Sequence, residues 1–113
     1  MAFSDVWDNF TEQVRTGVGD LAQNTVGDFV PQAEADATAF LNSSGEKLRK
    51  WGDLLANGLI TPEEFEFLLG SQRDLAKMHA LTALGLAATR LERFRTGLIS
   101  LIVKSAFGVI GIG

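Results

Sequence analysis

Cysteine is absent from these 113 residues, so neither a disulfide framework nor a thiolate zinc site can form. Proline is scarce, with two residues in a chain that is 46% hydrophobic, a balance that belongs to a folded globule and not to a disordered chain. Histidine occurs once, at His79. No glutamate stands three residues before it, so the Glu-x-x-His pairs of a di-iron bundle cannot be assembled. No serine sits in a Gly-x-Ser-x-Gly context, and the glycines of "TGVGDLAQNTVG" have neither Walker nor dinucleotide spacing. From these gaps we expect no enzyme, no cofactor and no small-molecule substrate. The start "MAFSDVWDNF" has no basic residues followed by an apolar run, so no secretory signal is expected and the location is expected to be cytoplasmic or membrane-associated.

Charge is present but unevenly placed. Residues 1–46 hold eight acidic groups against Arg15, whereas residues 77–113 hold Lys77, Arg90, Arg93, Arg95 and Lys104 against Glu92. Opposite signs favour the two halves meeting, within one subunit or between subunits. Five basic groups beside an acidic half make a poor phosphate footprint, so nucleic-acid binding is not expected.

The periodicity is helical throughout. Phe3, Val6, Trp7, Phe10, Val14, Val18 and Leu21 recur at helical spacing, behind Ser4 as a cap. Gly17, Gly19 and Gly27 each cost about 1 kcal/mol relative to alanine in a helix, so this helix needs packing to hold it. Pro31 suits the first turn of a second helix. "NSSG" (42–45) reads as a break, with Ser43 and Glu46 at capping-box spacing for a third. Asn57-Gly58 supplies a left-handed stop. "LITPEEF" predicts a further start: Thr61 as cap, Pro62 at the first position, Glu64 closing the reciprocal box. No proline follows, and the spacing predicts one helix onward to residue 95, kinked at Gly70-Ser71, with another kink at Thr96-Gly97.

The stretch "LRKWGDLLANGLITPEEFEFLL" (48–69) resembles the SHOCT module, a short helix–turn–helix. It shares leucines at helical spacing, then Gly58, Ile60-Thr61, Glu63-Glu64-Phe65 and Leu68-Leu69. The resemblance implies a role in oligomerisation or interaction and brings no catalytic residues.

The last segment, from Gly97 on, carries one charge, Lys104. On a helix, Leu98, Ile99, Leu101, Ile102, Val103, Phe107, Val109 and Ile110 point almost all round, leaving a narrow polar gap at Ser100 and Lys104. If four of these stayed in water, about 6–12 kcal/mol of burial would be forfeited. Three arrangements answer that: a central helix wrapped by the others, subunit packing in a homo-oligomer or filament, or contact with lipid. Gly97, Ser105, Ala106 and Gly108 permit close helix contacts for the second. Arg90, Arg93, Arg95 and Lys104 would face anionic lipid or an acidic partner in the third. Phe3, Trp7, Phe10 and Val14 form a candidate N-terminal helix interface.

The fold expected is all-α, in one domain over 1–113, with helices near 4–29, 31–41, 46–56, 62–95 and 97–110. It would be a small helical bundle or an elongated hairpin with a long, glycine-kinked C-terminal helix. The function expected is that of a self-assembling structural or interaction protein packing through its C-terminal helix. The alternative is a membrane-active or membrane-anchored protein inserting that segment. A third reading is a binding module for another protein through residues 48–69.

Overall fold

A computed structural model of the protein describes residues 3–73 and 78–111, without the side chain of Ser4. Every regular element among them is helical. A 3₁₀ turn, Phe3–Val6, leads into α1 (Trp7–Thr25), followed by α2 (Val30–Ala56), α3 (Pro62–Gly70), the short α4 (His79–Thr82) and α5 (Ala88–Ile110). The expected cap at Ser4 and the charge of Lys77 fall outside what the structure describes. The radius of gyration is 13.8 Å and the longest extent 42 Å, as for a compact domain of this length, about 13 Å in radius. The molecule is the bundle, not the elongated hairpin.

α1 buries Phe10, Val14, Val18 and Ala22, a stripe stepping by four residues. It ends at Thr25, short of the expected residue 29, because Gly27 turns left-handed at φ 67° and its N–H reaches back to Ala22 O at 2.9 Å. α2 runs without a break through "NSSG", correcting the expected division into 31–41 and 46–56. The physical reason is tertiary. Ser44 and Gly45 lie buried on the inner face, and a Cβ on Gly45 would stand 3.9 Å from Trp7 Cζ2. Residues that weaken a helix in isolation are here held in it by burial against the rest of the bundle.

The α2–α3 hairpin forms as expected. Gly58 adopts φ 71°, and Leu59 N–H donates to Leu54 O at 2.8 Å while Gly58 N–H donates to Leu55 O at 3.1 Å, the paired bonds of a Schellman stop. Thr61 Oγ1 accepts from Glu64 N–H at 3.1 Å and Glu64 Oε1 accepts from Thr61 N–H at 3.0 Å. Two of the orphan donors of the first turn are thereby satisfied.

The expected helix over 62–95 does not form. α3 stops at Gly70, where Ser71 Oγ donates to Leu68 O at 2.5 Å, and the chain turns again at Gly85, φ 72°. A continuous helix over 62–107 would be about 69 Å long and would strand its apolar face in water. Folding back lets α3 and α5 pack on each other instead, with the Phe65 and Phe107 ring centroids 6.0 Å apart. Between them α4 is fastened by one buried carboxylate. Asp36 on α2 accepts from Ala80 N–H at 2.8 Å and Leu81 N–H at 2.9 Å, and Leu81 and Met78 are buried beneath.

α5 runs unbroken through Thr96-Gly97, so the expected helices over 62–95 and 97–110 do not divide there. It lies antiparallel to α1, and the two helices trade knobs and notches. Leu101 sits where a Cβ on Gly17 would lie 2.5 Å from its Cδ1, and Leu21 sits in the same way over Gly97. Phe3 fills a third notch, over Gly52 on α2, where its N–H also donates to Asp53 Oδ1.

Candidate interaction surface

Residues 97–110 are covered by the rest of the chain. Leu98 and Ile102 are 0% exposed and Val103 is buried; Ile99, Leu101, Phe107, Val109 and Ile110 are half-buried against the same core. The exposed positions of this stretch are Ser100, Lys104 and Gly108, one line at i, i+4 and i+8. The supposition that four of these side chains stay in water is not met; the arrangement seen is the first of the three, a helix wrapped by the others. The 3₁₀ turn, α1, α2 and α3 all touch α5, and the glycine notches bring α1 close enough to cover it.

The basic residues do not form one patch. Arg90 Nε donates to Thr25 O at 3.2 Å, across to the C-terminal end of α1, where a cation suits the helix dipole. Arg95 pairs with Glu92 at 2.6 Å. Arg73 pairs with the same carboxylate and also donates from Nη2 to Thr96 Oγ1 at 3.1 Å. Arg93 and Lys104 are exposed and make no hydrogen bond or ion pair among the described residues. Both ion pairs share Glu92, and neither involves an acidic group of residues 1–46, so they do not join the acidic half to the basic one.

The N-terminal set belongs to the core. Phe3, Phe10 and Val14 are 0% exposed. Phe3, Trp7 and Phe10 form an aromatic cluster with centroids 5.2–5.9 Å apart, and the Arg49 guanidinium lies 4.3 Å above the half-buried Trp7 ring. Beside this cluster two adjoining hollows of about 170 and 360 Å³ share Arg15, Thr38 and Leu41 between α1 and α2. Their rims mix Glu34, Glu46 and Asp8 with Arg15 and Arg49, so they select no ligand by charge.

What the fold leaves in water is elsewhere. Among the described residues, the large hydrophobic ones with high exposure are Leu59 at 71%, Phe67 at 76% and Leu84 at 40%. Two of the three lie on the α2–α3 hairpin. Phe65 and Leu69 point inward from α3, and Phe67 stands about 200° round from Phe65 at roughly 100° per residue. It shares the outer stripe with Glu63, Glu66 and Gly70, all exposed. That spacing is present in the sequence, and sequence reasoning passed over it.

No group of three metal-ligating side chains is gathered among the described residues. No helix among them is long and apolar enough to cross a membrane. Comparison with family models, curated proteins and solved structures finds no match to this chain.

Proposed function

We propose that this chain is a non-enzymatic helical interaction protein that associates with copies of itself, and that the α2–α3 hairpin, not the C-terminal helix, is the element that does so. The observation that carries the reading is Phe67, 76% exposed on a helix whose other aromatic residue is fully buried. A phenylalanine left in water forgoes about 1.5–3 kcal/mol, and aromatic side chains are the common anchors of protein interfaces. The hairpin is well built to present one, since its turn and its cap are both fully bonded. The resemblance of residues 48–69 to SHOCT segments points to the same kind of role. The membrane alternative draws less support, because the residues it would insert are covered by α1, α2 and α3.

Sedimentation velocity over a wide concentration range tests the proposal. The wild-type chain is expected to gain mass as concentration rises. Phe67→Ser combined with Leu59→Ser is expected to stay at monomer mass with an unchanged melting curve. A wild-type chain that remains a monomer throughout, or a double variant that associates as before, would overturn it.

A further inference from the structure

We infer that Phe67 and its flanking carboxylates receive the arginine-bearing corner between α4 and α5 of a second copy. The inference rests on the hairpin reading above and names what the hairpin binds.

The two surfaces have complementary chemistry. α3 carries Glu63, Glu64 and Glu66 and no cation. Glu64 is engaged in its own cap, which leaves Glu63 and Glu66, one turn apart, along the same side of the exposed Phe67. Near the end of that stripe stands Arg73, already paired with Glu92. An aromatic face flanked by carboxylates suits a guanidinium, which can lie over the ring while its N–H fork meets an oxygen.

The corner at 84–93 supplies such a group on an apolar bed. Leu84 is 40% exposed, and Ala87, Ala88, Thr89, Arg90 and Arg93 are exposed beside it. The one carboxylate in this segment, Glu92, is held by Arg73 and Arg95, so the corner presents positive charge outward. Arg90 is partly committed to Thr25 O. Arg93 is not committed to any group among the described residues, which makes it the residue to meet Glu63, Glu66 and Phe67.

The contact is between subunits. Both surfaces are present in one protomer, yet Phe67 keeps 76% of its surface in water, so they do not satisfy each other within the chain. The acidic hairpin of one copy meets the basic corner of the next, an unlike-patch contact that closes into a ring or dimer, or continues as a filament, according to its rotation.

Charge reversal with cross-mixing tests the pairing. One variant carries Glu63→Arg and Glu66→Arg, the other Arg93→Glu. Each alone sets like charges against each other at every contact and is expected to weaken self-association about tenfold or more. An equimolar mixture restores opposite signs across the contact and is expected to recover association. If neither variant weakens association, or if the mixture fails to recover it, the pairing is wrong. Phe67→Ser, measured beside them, separates the two levels: if it alone dissociates the protein, the hairpin reading survives without this partner surface. If the wild-type chain is monomeric at every concentration, both fall.

Discussion

The α1–α5 pair and the α3 helix treat their apolar residues in opposite ways. α5 has more large hydrophobic side chains than any one neighbour could cover, yet all eight of the C-terminal set are buried or half-buried. α3 is nine residues long, buries Phe65 and Leu69, and leaves Phe67 in water. The difference is not in hydrophobicity but in how near another backbone can come. Gly17 and Gly97 lower one helix toward the other, so that Leu101 and Leu21 each cover surface that a β-carbon would hold apart. Phe67 is left uncovered by the described elements of the same chain, although Glu66 and Gly70 beside it line a shallow hollow with Thr96, Ile99 and Ser100 of α5. Burial therefore follows from partner geometry, and the length of an apolar run says little about whether it ends in solvent.

The same substitution in the two regions is expected to give the sharpest contrast. Ile102→Asp would place a carboxylate at a position with 0% exposure and no partner. It is expected to cost more than about 4 kcal/mol, much of the roughly 5–15 kcal/mol that holds such a domain. Loss of the far-ultraviolet helical signal and of the cooperative melt would show it. Phe67→Asp, in contrast, is expected to shift stability by no more than about 0.5 kcal/mol, because the ring it removes has almost no contacts within the chain. Folded, monomeric Ile102→Asp protein would mean that α5 is a detachable interface after all.

Next in size is the fastening of α4. Asp36 is the one carboxylate buried in α2, and its two oxygens take one N–H each from Ala80 and Leu81. Asp36→Ala removes both acceptors and is expected to destabilise the chain by about 2 kcal/mol, as for lost hydrogen bonds to a charged group. Amide exchange at Ala80 and Leu81 would rise well above that of α1. Asp36→Asn keeps one acceptor and should fall between. Unchanged exchange at α4 in the alanine variant would show that Met78 and Leu81 hold this segment by packing alone.

These contrasts also mark what could be read in advance. Thr61, Pro62, Glu64 and Gly58 act on their immediate neighbours, so the hairpin was visible in seven or eight consecutive residues. Helical character throughout was visible in the spacing of Phe10, Val14 and Val18. What failed were the helix bounds that depend on a distant partner. Gly45 looked like a break because its weakness is local, whereas the burial that holds it in α2 is not. Gly97 looked like a kink, and it is the seat of Leu21. The breaks after Gly70 and at Gly85 were hidden because nothing in the alanine-rich run forbids a helix; the single helix is given up so that α5 can return to the core. Phe67 lay within reach of a simple angle, but it sits in a short helix beside a far greasier segment, which drew the attention.

The smallest contrast concerns two glycines one residue apart from adjacency. Gly17 and Gly19 are both interior to α1, and alone each would gain about 1 kcal/mol on becoming alanine. A Cβ at Gly19 meets nothing within 4 Å, so Gly19→Ala is expected to keep that gain and raise the melting temperature. A Cβ at Gly17 would meet Leu101 Cδ1 at 2.5 Å. Overpacking costs about 1–3 kcal/mol, enough to cancel the gain or reverse it, although Leu101 is half-buried and its far end has some room to swing. Gly17→Ala is thus expected to be neutral to destabilising, and shortening the knob should restore the difference. In a Leu101→Ala background, itself weakened, Gly17→Ala should recover about the same benefit as Gly19→Ala. Equal benefit from both glycines in the wild-type chain would mean that α1 and α5 are not in contact at this notch, and the enclosure of the C-terminal helix would lose its cause.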